Sequence, residues 1–409
     1  MGQACEQQRV QRPEVRSMNR LTTWLRGIAP NIGWTLFGAI AGVVLFFPGQ
    51  YIYNKAKSKV PRPYVAIVVE TESVDFPIPA EFFNGFQSMY VGGATYFETH
   101  DGERVDIRLV EDLEAPEEAS RIATDLASDK NCIMVIGNSN STLTDKSLDI
   151  FLRSGDPPTY IWPIATANEL ITKAHTAGDG AVLRMVPSNE AQAAMIQRLT
   201  KHLAPRGRVA IFLDDENPFY STNLSRDIAS KIRKEGGQIV IEEVLGQGNS
   251  IYPAVQAWNS AKSRPDVIVW VGVAHHGLLL IDQLAALGIK TPIIFTDGAL
   301  VSELMDNITR IQNRAFVLSP VGLLQETASQ MPTYKGIGKD AYQLAQLIIR
   351  NSDDLSRSGL RKYVSSHKED IHLPNAEAGS YRFDVDGNNQ DATWKVFEIT
   401  KGNFKQYHE

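Results

Sequence analysis

The hydrophobic pattern is clearest between Pro265 and Gly298, which reads PDVIVWVG, then AHHGLLLIDQLAALGIK, then TPIIFTDG. Five apolar residues, Val267 to Val271, stop at Gly272. Leu280, Leu284 and Leu287 then recur at helical spacing, and a second apolar run, Ile293 to Phe295, stops at Thr296, Asp297 and Gly298. Continuous apolar runs on either side of an amphipathic segment predict a β-α-β unit with buried parallel strands. Ligands of such sheets bind in the crevice outside the strand C-termini. Gly272 to His276 and Thr296 to Gly298 are therefore the first candidate site positions.

The same alternation runs through residues 64–409. Strands are predicted at YVAIVVE from Tyr64, VDIRLVED (105–112), CIMVIG (132–137) and TYIWPIAT (159–166), with helices between them marked by Phe82, Phe83, Phe86 and Met89, then by Ala119, Ile122, Ala123 and Leu126. The pattern restarts with RVAIFLDD (208–215), a helix on Leu224, Ile228 and Ile232, the strand GGQIVIEEV, and a helix around Val255 and Trp258. Strands alternating with helices predict a doubly wound α/β sheet, and two successive series predict two lobes. The tail, YRFDVDGNNQDATWKVFEITKGNF, alternates differently and reads as a β-hairpin broken at Asp386-Gly387-Asn388-Asn389.

The first sixty residues follow another pattern. No charged side chain falls between Gly27 and Asn54, and residues 32–47 read IGWTLFGAIAGVVLFF. A membrane-spanning helix needs about 20 mainly apolar residues, so a single transmembrane helix is expected at 31–53. Trp34, Tyr51 and Tyr53 would sit at its interfaces. Residues 1–30 would form a cytoplasmic segment and 54–63 a linker. Residues before the apolar run and the lack of a small-x-small site after it argue against a cleaved signal peptide. Five arginines before the span and four basic residues after it leave its orientation open.

Composition narrows the function classes. Of 409 residues, 43% are hydrophobic, enough for more than one core, and the net charge of −6 disfavours nucleic acid as a partner. Cys5 and Cys132 form no disulfide framework, and the expected span would separate them. No phosphate-binding glycine motif, nucleophile elbow or spaced metal-ligand set is present, so no cofactor, no metal and no enzymatic activity are expected. His275-His276 is a pair of neighbours without a supporting pattern of ligands.

The order of motifs resembles the type I periplasmic binding proteins, in particular the branched-chain amino-acid-binding receptors of transport systems. The elements that carry this are VIGNSNST, PIATANEL, LRMVPSNEAQAAMI, VAIFLDDENPFYSTNL, PDVIVWVG, FTDG, RFDVDGN and VFEITKGNF, in that order over about 64–407. The resemblance implies two Rossmann-like lobes that close on a ligand by hinge bending. The first would hold about 64–185 with part of 319–409, the second about 186–318 with part of the tail. It also implies a body outside the cytoplasm, at the cell membrane, with a permease or signalling partner. The expected function is a membrane-anchored solute-binding receptor for an amino acid or similar small polar metabolite. The alternative is a regulatory or scaffolding protein that uses a degenerate binding-protein fold for protein contact.

The resemblance carries over onto individual residues. Ser141 and Thr142 match the turn that contacts a ligand carboxylate, although both could simply cap a helix. Thr166 matches the threonine that shares this work, and Ile164 a residue that contacts ligand through its backbone. Asp297 matches the acid that pairs with the ligand ammonium; a helix cap is its alternative role. Tyr220 matches an aromatic of the second-lobe wall, with Phe219 competing for the position. Ala274 falls where many relatives carry a large aromatic, and the bulk shifts to His275 and His276, which points either to an acidic or polar ligand or to a solvated pair.

Overall fold

A computed structural model of the chain describes residues 62–71, 77–90, 93–178, 181–245, 252–308, 314–321, 333–400 and 403–408. The first sheet contains β1 (Tyr64–Val68), β2 (Tyr96–Glu98), β3 (Arg104–Val110), β4 (Cys132–Gly137), β5 (Thr159–Trp162) and β6 (Val182–Arg184), in the order β2-β3-β1-β4-β5-β6. All pairs are parallel except β2 with β3. Helices α1 (Ile78–Gln87), α2 (Pro116–Ser128), α3 (Ser141–Arg153) and α4 (Asn168–Thr176) make the connections. Every residue of β1, β4 and β5 is buried, as expected for parallel strands covered on both faces.

After α5 (Asn189–Leu203) the second series builds β7 (Arg208–Asp214), α6 (Pro218–Lys234), β8 (Gln238–Leu245), α7 (Tyr252–Ser260), β9 (Val267–Val271), α8 (Ala274–Ala286), β10 (Ile293–Phe295), α9 (Ser302–Ile308) and β11 (Ala315–Ser319). The apolar runs that open the sequence reading are thus β9 and β10, with α8 between them. Leu280 and Leu284 are buried, whereas Leu287 follows the helix and is exposed. Burying a Val, Ile or Leu side chain contributes about 1.5–3 kcal/mol, so such runs choose the interior before anything else in their segment.

The chain then returns through α10 (Lys335–Asn351), α11 (Arg357–His367), β12 (His372–Leu373) and β13 (Tyr381–Arg382) to β14 (Lys395–Thr400) and β15 (Asn403–Gln406). β14 lies antiparallel to β11, and the second sheet runs β15-β14-β11-β10-β9-β7-β8. Helix α10 packs on α1 with backbone contact: a Cβ at Gly85 would lie 2.0 Å from the Lys335 carbonyl oxygen, and one at Gly338 2.0 Å from that of Phe82. Only glycine fits at either crossing point.

The tail turns where the sequence places the break: Gly387 N–H donates to the Asp384 carbonyl at 3.0 Å, Asp384 N–H to the Asn388 carbonyl at 2.9 Å, and Phe383 bridges Asn389 antiparallel, while β14–β15 forms a second hairpin beyond it. The turn wraps around the Asp384 carboxylate, whose Oδ1 accepts from the N–H groups of Asp386 and Asn388 at 3.0 and 2.8 Å. It then docks on β6: Arg184 N–H donates to the Gly387 carbonyl at 2.8 Å, and Asn389 N–H to the Arg184 carbonyl at 3.1 Å. A local carboxylate and a free sheet edge thus hold the turn in place.

One expectation is corrected, and it concerns the membrane. Among the described residues no helix is long and apolar enough to cross a bilayer, and residues 31–53 lie outside the described residues. An uncharged apolar stretch meets the length requirement of a span without by itself establishing one. The fold is two α/β lobes with a cleft, with no transmembrane helix among the described residues; a single-pass anchor is not supported as part of the architecture, the function, the partners or the location. The separation of Cys5 from Cys132 loses its basis with it. Cys132 is buried in β4, and burial pushes its thiol up to about 12.

Candidate ligand cleft

The predicted residues fall into two groups, one beside each sheet. In the first, β4 ends at Gly137 and α3 starts at Ser141. Asn140 caps this helix, its Oδ1 accepting from Leu143 N–H at 3.0 Å. Capping is therefore not the role of Ser141 or Thr142. Ser141 is buried, and its Oγ accepts from the N–H groups of Thr166 and Ala167 at 3.2 and 3.4 Å. This ties the start of α3 to the loop after β5, where Ile164 and Thr166 are also buried. The loop is fixed from behind by Arg184, buried to 4% exposure, which donates to the carbonyls of Thr166 and Ala167 and to Asn388 Oδ1. Burial lowers its guanidinium to about 10.

Thr142 faces the other lobe. Its Oγ1 donates to Asn217 Oδ1 at 2.7 Å, its N–H reaches the same oxygen at 3.3 Å, and Phe219 N–H donates back to Oγ1 at 3.2 Å. Asn217 and Phe219 sit at the start of α6, and the Phe219 side chain packs against the core of the first lobe. Arg226 of α6 pairs with Glu169 of α4 at 2.7 Å along the same seam.

The second group centres on Asp297, just past β10. It heads a short 3-10 turn whose N-cap position is Thr296. Its Oδ1 accepts from Gln192 Nε2 at 2.7 Å and from the Tyr220 hydroxyl at 2.6 Å, while Oδ2 accepts from the Tyr334 hydroxyl at 3.2 Å. Tyr334 N–H in turn donates to Glu81 Oε2 of α1 at 3.0 Å. Asp297 is 5% exposed and has no ion-pair partner among the described residues. Burial pushes its carboxyl up, and the donated hydrogen bonds pull it down. Tyr220, not Phe219, reaches this group; burial raises both tyrosine hydroxyls well above their ordinary range.

Ala274 is buried as the first residue of α8, His275 is half-buried, and His276 is buried at 4% exposure. The bend before α8 is held by Trp270, whose Nε1 donates to the Val273 carbonyl at 3.0 Å. His276 lies beside the end of β7, its Nδ1 3.5 Å from Glu216 Oε1. There Asp214, Glu216 and His276 bring donor atoms within 4.8 Å of one another. Asp214 is 1% exposed, and burial pushes its carboxyl up to about 7. The spacing of 62 residues between Asp214 and His276 hides this group from any local motif.

Sequence reasoning also missed Gln192, Asn217, Glu81 and Tyr334. Gln192 and Asn217 lie inside quoted motifs, but nothing in their spacing sets them apart from surface amides. A separate cavity of about 130 Å³, lined by Met185, Val186, Pro320, Tyr381, Asn389 and Asp391, touches none of the predicted residues.

The profile of the periplasmic binding protein family matches residues 87–306, more than half of the chain. No curated protein matches. Among solved structures, the leucine-binding protein LivK of Thermotoga maritima is 18% identical, with a TM-score of 0.69 over 85% of this chain and 98% of that one. LivJ of Streptococcus pneumoniae, a branched-chain amino acid transporter substrate-binding protein in complex with isoleucine, is 16% identical, with a TM-score of 0.67 over 85% and 99%. A solute-binding protein of Rhodopseudomonas palustris in complex with benzoate is 15% identical, with a TM-score of 0.67 over 84% and 95%. These likenesses show the fold. Together with the profile match they place the chain in the periplasmic binding protein family, with the type I fold of the branched-chain amino-acid-binding receptors, a family of solute receptors and not of enzymes.

Proposed function

We propose that this chain binds a small solute carrying a cationic amine and a carboxylate, an amino acid or a close relative, by closing its two lobes on it. The observation that carries the reading is the environment of Asp297. A buried carboxylate is costly unless it is paired, and here three neutral donors hold it without a cation. The oxygens of Tyr220 and Tyr334 keep acceptor lone pairs beside it. An ammonium group would meet one full negative charge and two further acceptors, and charge-assisted bonds of this kind are about twice as strong as neutral ones. At the other end, Thr142 N–H and Oγ1 at the start of α3 are donors suited to a carboxylate. The solved neighbours that hold isoleucine and benzoate carry carboxylate ligands, which accords with this.

A second reading has one observation in its favour. Asn217 already engages the Thr142 donors from the opposite lobe, so the closed arrangement is self-satisfied and could serve protein contact alone. A thermal-shift screen of the 409-residue chain against the standard amino acids separates the two. A ligand at a hundredfold excess over its Kd stabilises by about 2.7 kcal/mol. The receptor reading expects at least one such shift, abolished in Asp297→Asn. A flat screen of folded protein counts for the contact reading; shifts that persist in Asp297→Asn would show a ligand that Asp297 does not hold.

A further inference from the structure

The carboxyl end of the second sheet carries a group of side chains that the ligand cleft does not use. Asp214 ends β7, Glu216 lies two residues on, and His276 sits in the first turn of α8. One oxygen of each carboxylate and one imidazole nitrogen converge within 4.8 Å, with His276 Nδ1 3.5 Å from Glu216 Oε1.

The chemistry of Asp214 makes this more than a chance cluster. Its Oδ2 accepts from Val273 N–H at 2.5 Å, which fixes the carboxylate. Its Oδ1, fully buried, has no hydrogen-bond partner among the described residues. A buried polar atom left unsatisfied costs about 1–3 kcal/mol, so its presence here calls for a partner. Neither Asp214 nor Glu216 pairs with a lysine or arginine among the described residues. Backbone is cleared for the carboxylate as well: a Cβ at Gly272 would lie 2.0 Å from Asp214 Oδ2.

We propose that Asp214, Glu216 and His276 form a binding site for one divalent first-row transition cation. One nitrogen and two carboxylate oxygens match the donors that zinc, cobalt and manganese accept, whereas calcium and magnesium favour oxygen alone. Bonds to zinc run about 2.0–2.2 Å, so the donors must draw together slightly. Glu216, whose side chain is 43% exposed, has the freedom to do so.

The test uses the full chain, stripped with a chelator and titrated with Zn2+ by calorimetry and with Co2+ by visible ligand-field absorption. The expected result is one cation per chain, with affinity falling at least about tenfold in each of Asp214→Asn, Glu216→Gln and His276→Gln. Circular dichroism checks that each variant folds. Glu216→Gln, on a half-exposed side chain, keeps the test valid if the buried variants do not. Absence of stoichiometric binding by folded wild-type protein overturns the proposal. So does binding that Glu216→Gln leaves unchanged, which would locate the cation elsewhere. Both readouts are independent of amino-acid binding, so the outcome leaves the Asp297 reading to its own test.

Discussion

Thr142 Oγ1 donates to Asn217 Oδ1 across 2.7 Å, and the two residues belong to opposite lobes. The donors suited to a ligand carboxylate are thus already engaged by a neutral side chain of the protein itself. The Asn217 contact and a ligand carboxylate compete for the same donors. Asn217→Ala should therefore raise the affinity for a carboxylate-bearing ligand, by three- to tenfold if one net hydrogen bond of about 0.5–1.5 kcal/mol is removed from the competition. Calorimetry on the variant checks this. A fall in affinity would make Asn217 a ligand contact and not a competitor.

Asp214 gives a pH signature. Burial raises its folded-state value from an ordinary 3.8 to about 7. Between these values the folded protein holds a proton that the unfolded chain has released, so stability declines as pH rises through this window and levels off above it. Asp214→Asn should flatten that slope. Urea midpoints measured from about pH 4 to about pH 8 with chelator present test this; equal slopes for wild type and variant would refute it.

Arg357 is a buried cation whose partners are backbone. At 3% exposure it donates to the carbonyls of Leu126, Ala127, Asp129, Cys132 and Asp156, closing the C-terminal end of α2. Each orphaned carbonyl costs about 1–3 kcal/mol, relieved in part where water enters. Arg357→Ala should destabilise by at least about 3 kcal/mol, and Arg357→Lys should recover less than half, because an ammonium lacks the planar fork. Thermal and urea denaturation read both.

Gly338→Ala places a methyl against the Phe82 carbonyl at the α1–α10 crossing. Overpacking of this kind costs about 1–3 kcal/mol, more than an ordinary Gly→Ala gain in helix propensity of about 1 kcal/mol can offset. The variant should melt below wild type; a rise in Tm would show that the helices separate freely.

Much of the architecture was legible because the dominant force is also the most local signal. β9, α8 and β10 follow directly from where Val267–Val271, Leu280, Leu284 and Ile293–Phe295 must be buried. In the tail the Asp386-Gly387 turn signal was legible, whereas its docking on the edge of β6 was not, because only the folded chain brings Arg184 to Gly387. The uncharged stretch from Gly27 to Asn54 satisfies the length criterion for a span but lies outside the described residues, which contain no such helix. In the cleft, Ser141, Thr166, Asp297 and Tyr220 could be named from motif order. Asn217, Gln192 and Tyr334 could not, because their significance lies in contacts between residues 75, 105 and 37 positions apart. A separation of 62 residues likewise hid the meeting of His276 with Asp214.

The central claim is that Asp297 recognises a ligand amine. Its most direct test is calorimetric titration of the full chain with leucine, isoleucine and glutamate, each beside its des-amino counterpart of otherwise identical structure. The account predicts binding of at least one amino acid, loss of two orders of magnitude or about 2.7 kcal/mol on removal of the amine, and no such discrimination in Asp297→Asn. Equal affinity of an amino acid and its des-amino partner for the wild-type protein would contradict it.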